Sequence, residues 1–515
     1  MKHNRFKDWW RNSKIIAFFR KIGLLSKKGT KIKLIFFVYL LIVLVASLFL
    51  YSPISHNAEY TKGNKITFVD SFFTISSAFS STGLSIHSAY AAFNMFGQSI
   101  IAICILIGGL GIFALKIFLI NVIFMHGRMS LNDVELISYE RGNSDYFKNR
   151  SMIKDSMIFL VITLFIASCI LTIYFYCFNP LSTQYLPKYV NYVESKGNVE
   201  LSFRYGIFHA ISALNNAGFD IIGDKSLLPY YKNIGLQIIF LLLFIIGGIG
   251  YPVIHDFASY IRAKIKNKKV KYKWSLFTKI SLFTFFIVSL IGFIFVVSFE
   301  AASVKSESII HNNGLFYSNE GYRVWSIFFM VMSTRSAGFS TIELNHMTEP
   351  SIWVLGILSF IGAAPASTGG GIRTTTCGIL FLSIIAKSFG RPSVRAFKRR
   401  IDDETVKMSS VVATIAIILV IFATLISMSS FDYFSGKIDS KKYNSTHIFF
   451  EVLSAFGTTG LSTGITSDLN IATKITLSII MFIGQFGISS SVLIWTNKKN
   501  YSYKYEYISE AVTIG

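Results

Sequence analysis

Charge is scarce in this chain. Only 15% of its 515 residues are Asp, Glu, Lys or Arg, while 52% are apolar. Soluble domains carry about 25% charge, so the composition excludes an ordinary soluble protein and reads as a membrane one. Acids are rarer still, 27 against 50 basic residues, for a net charge of +23. Such an excess invites a nucleic-acid partner. The positive residues, however, sit between long apolar runs, where Lys and Arg set topology, so no nucleic acid is expected. The four cysteines, Cys104, Cys169, Cys177 and Cys377, lie in or at the end of apolar stretches and form no CxxC pair. They read as small hydrophobes in packed helices, with no disulfide framework or metal site. A GxxxxGK[ST] loop, an HExxH motif, a nucleophile–base pair and paired acids are all missing. The chain is therefore expected not to be an enzyme and to carry no organic cofactor. Any control by nucleotide must come from a partner.

What is present is apolar length. Eight stretches reach the roughly 20 residues needed to span a bilayer: approximately 33–51, 96–124, 155–178, 233–261, 276–299, 352–387, 408–428 and 472–496. Between alternate pairs sits a shorter apolar segment, at 68–82, 203–217, 324–337 and 445–459. These are too short to cross, and they suit re-entrant pore helices whose following loop lines a wet path. The expected fold is an all-α polytopic membrane protein: four pseudo-symmetric helix–pore helix–helix repeats around one central pore, with 8 transmembrane helices. The domains follow as a basic segment at 1–32, repeats at 33–125, 155–262, 276–388 and 407–497, and a tail at 498–515.

Charge supports one orientation. The segments assigned inside hold 34 Lys and Arg, and those assigned outside hold 8. This bias puts both termini in the cytoplasm and brings the short loops in from outside. The N-terminal segment is too basic for too long to be a signal peptide and is expected to lie on the membrane surface of a retained first helix.

Each short segment ends in a glycine flanked by small or polar residues: Ser81-Thr82-Gly83-Leu84, Asn216-Ala217-Gly218-Phe219, Ser336-Ala337-Gly338-Phe339 and Thr458-Thr459-Gly460-Leu461. The glycines are 135, 120 and 122 residues apart. Six positions before them stand Ser77, Ser212, Met332 and Ser454. A second glycine cluster follows in every unit, at Gly108-Gly109-Leu110-Gly111, Gly247-Gly248-Ile249-Gly250, from Gly362, and at Gly484-Gln485-Phe486-Gly487. A pattern recurring in phase is one structural unit reused.

The chemistry that fits is ion selection by backbone carbonyls, which replace the water of K⁺ without a fixed charge. Glycine reaches φ > 0 and lets backbone approach an ion closely. Pore-helix C-termini aimed at mid-membrane favour a cation, and the hydroxyls of Ser81, Thr82 and Thr459 offer further oxygens. With one glycine per filter, few stacked sites are expected and selectivity over Na⁺ is modest.

The third unit also carries Gly362-Ala363-Ala364-Pro365-Ala366-Ser367-Thr368-Gly369-Gly370-Gly371-Ile372-Arg373 inside an apolar run. Proline and glycines break the helix there, so a loop below the filter is expected to obstruct the pore and act as a gate. Arg335 and Arg373 are the deepest arginines, and intramembrane charge defaults to function. Arg335 is expected to hold filter three through carbonyls or an acid, with Glu451 of the fourth pore helix as the candidate acid. His209 and Thr74 occupy the position matching Glu451. Asp70 reads as the N-cap of the first pore helix. Asp220 stands just above filter two, placed to attract cations.

These four filters, together with GGLG, GGIG, STRSAGF at 333–339 and APASTGGGIRTTT at 364–376, resemble the Trk/Ktr/HKT superfamily of K⁺ transporters, most closely bacterial KtrB-type subunits. The resemblance spans about 65–515. It implies a bacterial plasma-membrane homodimer with one pore per protomer and K⁺ uptake with Na⁺ as an activator. It also implies control by a cytoplasmic RCK-type, KtrA-like nucleotide-binding ring. That ring is expected to dock on the basic face near 262–273 and 391–400. The third-unit loop is the family's gate, and its C-terminal tail makes dimer contacts. One departure stands out. Relatives usually carry an arginine in the fourth unit where Gln485 stands here, so the filter support at this position lacks a charge, and altered gating is expected. The alternative within the fold is a Na⁺-permeable or weakly selective cation transporter. Four intact glycines favour K⁺. Flux is expected to be electrodiffusive, since 100 mV is worth about 2.3 kcal/mol per charge.

Overall fold

The computed structural model describes residues 28–111, 146–181, 190–265, 272–303, 308–311, 317 and 319–488. Residues 1–27 of the basic segment and the tail 498–515, each given a role above, lie outside the described residues. The architecture is helical, apart from a two-residue-per-strand hairpin of β1 (Arg395–Ala396) and β2 (Arg399–Arg400).

Fourteen principal helices run along the described chain: α1 (Lys28–Tyr51), α2 (Phe68–Phe79), α3 (Met95–Leu110), α4 (Tyr146–Cys177), α5 (Val199–Leu214), α6 (Ile234–Gly248), α7 (Tyr251–Ile265), α8 (Leu276–Ala302), α9 (Glu320–Ser333), α10 (Glu349–Phe360), α11 (Thr374–Ser388), α12 (Asp403–Ser427), α13 (Ser445–Phe456) and α14 (Ile471–Phe486). Their starts are written in polar caps. Asn94, Asn198, Ser275 and Asn470 accept amide protons of the first turn of α3, α5, α8 and α14, which satisfies donors the helix leaves free. In α2 the N-cap is Thr67. Asp70, expected to be the cap, is instead the third helical residue, closing a capping box back onto Thr67.

Three helices, Ser151–Cys177, Leu276–Ala302 and Asp403–Ser430, are long and apolar enough to cross a membrane alone. Their outward faces carry apolar residues such as Phe165, Ile173, Leu290, Ile294 and Phe422, all exposed, as a hydrocarbon-facing surface requires.

In the runs at 96–124, 233–261 and 472–496, expected to be unbroken, and in that at 352–387, expected to be broken, a helix ends at the second glycine cluster. Helix α6 ends at Gly248, and α7 leaves at an angle of 100° to it. Helices α3 and α14 end before Gly111 (φ 83°) and Gly487 (φ 89°), and α10 and α11 are separated by the 361–373 loop. Gly250 and Gly371 share the positive φ, at 84° and 76°. A residue with a Cβ is strained there, so the break follows the glycine. The helix end expected only in the third unit is thus common to all four, and among the described residues a second helix follows it in the second and third.

The short helices pack as wedges between the long ones. Helix α2 lies on α1 and α3, α5 on α4, α6 and α3, and α13 on α10, α12 and α14. Ring contacts such as Tyr39–Phe79, 4.9 Å between centroids, fill the seams. Helix α14 also packs on α2, so the end of the chain returns to its beginning. There the Lys474 ammonium donates to Asp70 at 2.7 Å.

Candidate functional site

The four filter segments meet at one place. A Cβ built on Gly83 would lie 2.5 Å from the carbonyl oxygen of Ala217, and one on Gly218 would lie 2.8 Å from the Gly338 Cα. One on Gly338 would lie 2.3 Å from the Thr459 oxygen, and one on Gly460 would lie 1.9 Å from the Thr82 oxygen. The neighbours run 83, 218, 338, 460 and back to 83, a closed ring of backbone. Contact this close admits no side chain.

Each filter has one backbone conformation. The glycines have φ of 101°, 66°, 79° and 83°, and two residues earlier Ser81, Asn216, Ser336 and Thr458 have φ of 51°, 55°, 63° and 49°. The residue between them is not left-handed. Alternating the sign of φ turns successive carbonyls toward one side, unlike a strand, whose groups alternate. Four non-glycine residues in a strained region at matching positions mark a functional constraint.

The pore helices impose this turn. In α2, α5 and α13 the amide before the glycine donates to a carbonyl five residues back: Thr82 to Ser77, Ala217 to Ser212 and Thr459 to Ser454, each 2.8 Å. In α9 the acceptor is Ser333. Ser333, not Met332, is therefore the counterpart of Ser212. Their hydroxyls donate to the Phe339 and Phe219 carbonyls at 2.6 and 2.7 Å. Ser77 instead accepts the Gly83 amide at 3.0 Å. Of the hydroxyls offered as extra oxygens, Thr82 pairs with Ser80 at 2.7 Å and Thr459 donates to the Thr334 carbonyl at 3.3 Å.

The second glycine clusters support the filters by removing side chains. A Cβ on Gly108, Gly247 or Gly484 would lie 1.7, 2.1 or 2.0 Å from the carbonyls of Phe79, Leu214 and Phe456. These carbonyls end the pore helices of the same units. Sequence reading saw these glycines recur but not what they touch.

Outside the ring, a cavity of about 300 Å³ is lined by residues from all four post-filter segments, including Leu84, Phe219, Ser340 and Leu461. Asp220 lines it as expected. Its carboxylate also accepts the Ile222 amide at 2.7 Å and so holds the segment after filter two. At the start of α2, burial favours the neutral form of Asp70, but the His87 ring 3.6 Å away and hydrogen bonds from Lys474 and Thr67 outweigh it and hold the carboxyl well below its ordinary range.

Inside the ring, the 362–373 loop is packed against three filters. The Thr368 hydroxyl donates to the Asn216 side chain at 3.2 Å, the Gly370 amide to the Thr458 hydroxyl at 2.7 Å, and Gly369 leaves no room for a Cβ against Ser336. Amides of Ala364 and Thr368 donate to the Gly248 and Gly247 carbonyls at 3.0 and 3.2 Å, and the Tyr251 amide donates to the Ala366 carbonyl at 2.9 Å. The broken end of α6 therefore grips the loop.

The two deep arginines serve this loop. Arg335, fully buried, donates to the carbonyls of Leu358, Ile361 and Gly362, the last at 2.9 Å, and stands 5.2 Å from the Phe285 ring centre. The acid expected for it, Glu451, is elsewhere. Its Oε1 accepts the hydroxyls of Ser462 and of Thr466, the latter at 3.0 Å. Arg335 thus holds the start of the 362–373 loop, not filter three, because those carbonyls are left free where α10 stops. Arg373 donates to the Gly369 carbonyl and, at 2.8 Å, to the Gln485 carbonyl. The Gln485 side chain donates to the Thr368 carbonyl at 2.8 Å. His209, at the position of Glu451, bonds the Tyr205 carbonyl at 2.7 Å, while Thr74 bonds the Asp70 carbonyl at 2.8 Å.

A family model described as "TrkH: Cation transport protein" matches residues 35–503. The chain is 33% identical to "Uncharacterized cation transporter MG322" of Mycoplasma genitalium, over 98% of this chain and 100% of that protein. It is 33% identical to "Ktr system potassium uptake protein D" of Bacillus subtilis, over 96% and 99% of the two chains. In fold it is similar to the crystal structure of the potassium transporter TrkH from Vibrio parahaemolyticus, with a TM-score of 0.57 at 16% identity, covering 85% of this chain and 80% of that one.

Proposed function

The chain belongs to the TrkH cation transport family, and on that premise we propose that it is the K⁺-conducting membrane subunit of an uptake system. The observation that carries this reading is the closed ring of Gly83, Gly218, Gly338 and Gly460, with one φ pattern in all four segments. A cation passing the ring meets carbonyls from four sides, and K⁺ is the ion whose hydration such oxygens replace. Relatives named as potassium uptake proteins point the same way.

In this reading the four units are pseudo-symmetric repeats giving eight crossings, four of them broken at the glycine clusters. The 300 Å³ cavity is the outer vestibule, and the loop at Gly362, Pro365, Ser367, Thr368, Gly369, Gly370, Gly371 and Arg373 is the gate. Its contacts with Asn216, Ser336 and Thr458 support a position across the inner face of the filter. Arg373 supplies a positive charge beside Gln485, so the glutamine does not leave the inner side without one. The basic stretches then face the cytoplasm, where a nucleotide-binding ring controls the gate, and the subunit works as a dimer in a bacterial plasma membrane. The short filter, one glycine per segment, favours modest discrimination against Na⁺.

The test is rescue of a K⁺-uptake-deficient bacterium at low external K⁺. Wild type restores growth, and Gly83→Asp or Gly338→Asp abolishes it with the protein still in the membrane. Undiminished growth with either variant removes the filter assignment. Adding Na⁺ against K⁺ in the same assay measures the discrimination.

A further inference from the structure

Glu451 is a buried acid of the fourth pore helix whose charge no cation among the described residues meets. It lies on α13, only 1% exposed. Among the described residues no cation acts on it; its neighbours are the hydroxyls of Ser462 and Thr466 and the main chain of Thr463. Its second oxygen, Oε2, is buried with no hydrogen-bond partner. Two more oxygens beside it are in the same condition. The Ser454 hydroxyl, one helical turn on along the same face, is fully buried and unpartnered, and so is that of Thr463, 1% exposed. In the second and third units the matching serines bond the carbonyl after the filter glycine. In the fourth unit that bond is absent, and a carboxylate stands three residues before the serine, where the other units have Thr74, His209 and Met330.

An unpaired buried carboxylate is costly, and so is each unsatisfied buried hydroxyl. All three oxygens have unused lone pairs, and the two hydroxyls also lack an acceptor. A dehydrated monovalent cation satisfies all three at once. It meets one formal negative charge and neutral oxygens, the donor set of a hard alkali ion. The position is reachable, because Ser462, Thr463 and Thr466 also line the outer vestibule.

We propose that Glu451 Oε2, Ser454 Oγ and Thr463 Oγ1 form an alkali-cation site behind filter four, off the axis of the glycine ring and filled from the vestibule. The site rests on the reading of that cavity as the outer mouth. An ion held there bridges the pore helix to the segment after Leu461 and stiffens filter four, so occupancy by Na⁺ or K⁺ outside the cell tunes conduction without passing through.

Crystals of the full chain soaked in Tl⁺ test this directly. An anomalous peak beside Glu451, separate from any on the ring axis, is expected. Peaks on the axis alone overturn the proposal while leaving the filter reading intact, and absence of axial peaks sinks the filter reading instead. A second measurement needs no crystal. In choline chloride, addition of NaCl or KCl raises the thermal unfolding midpoint of the wild type, and Glu451→Gln and Thr463→Val each lose a part of that shift, while Glu451→Asp keeps some of it. Where Glu451→Gln does not fold, Ser454→Ala takes its place. A midpoint that responds to acidification and is equally salt-sensitive in wild type and Thr463→Val assigns a proton to Glu451 and overturns the site.

Discussion

Arg373 and Gln485 are joined across 112 positions of sequence: the guanidinium donates to the Gln485 carbonyl at 2.8 Å while its other arm holds the Gly369 carbonyl. The loop beneath the filter is therefore latched at both edges, to α6 through Gly247 and Gly248 and to the end of α14 through this arginine.

Removing the latch is expected to free the gate. Hydrogen bonds from a charged group contribute about 1.5–3 kcal/mol each, and 1.4 kcal/mol moves a two-state balance about tenfold. Arg373→Gln should raise basal ⁸⁶Rb⁺ flux into proteoliposomes several-fold without a cytoplasmic partner. Arg373→Lys should not restore the wild-type level, since an ammonium cannot span both carbonyls as the fork does. Deleting Gly369–Gly371 should act in the same direction, and unchanged flux in both would leave the loop a packed kink.

Arg335 is expected to matter for stability more than for selectivity. Arg335→Met strands the carbonyls of Leu358, Ile361 and Gly362 in a dry interior. A loss of about 3–5 kcal/mol is expected, the range for removing one partner of a buried charged set. A lowered thermal midpoint in detergent with an unchanged K⁺/Na⁺ ratio in the surviving protein would bear this out.

The ring glycines can be separated from ordinary ones by the same small change. Gly460→Ala puts a methyl 1.9 Å from the Thr82 oxygen at φ 83° and should abolish uptake, whereas Gly63→Ala meets nothing within 4 Å and should be neutral. Growth at low K⁺, with membrane abundance measured alongside, distinguishes the two.

A pH effect is expected at the start of α2. The Asp70 carboxyl is held below its ordinary value by His87, Lys474 and Thr67. Its contribution to stability is then fully present above the unfolded value of about 3.9 and is lost as pH falls below that toward the lowered folded value. Lys474→Met should lower the thermal midpoint by a constant amount from neutral pH down to about 4. The gap should close only below that.

Much of this arrangement was legible in the residues. Gly83, Gly218, Gly338 and Gly460 are spaced and flanked alike, and the φ they adopt is one glycine favours, so the meeting of four turns follows from the pattern. The 362–373 break is written in Pro365 and its glycines. Three features were not legible. The bend at Gly250 and the helix ends at Gly111 and Gly487 sit inside apolar runs, where composition does not register them. Of the two partners expected for Arg335, carbonyls or the acid Glu451, it has carbonyls, and those of Leu358, Ile361 and Gly362 were not legible because a free helix-end carbonyl does not show in a sequence. The exchange of Ser333 for Met332 came from a one-residue difference in how α9 ends, which spacing alone does not resolve.

The contact of Gly460 with Thr82, and of Lys474 with Asp70 across 404 positions, has a consequence for biosynthesis. On the proposed reading, the conduit has no fourth wall until translation has passed Gly460 and Lys474. A prematurely terminated product holds three filter turns and no enclosed passage, so unfinished synthesis does not leave a half-built leak in the bilayer.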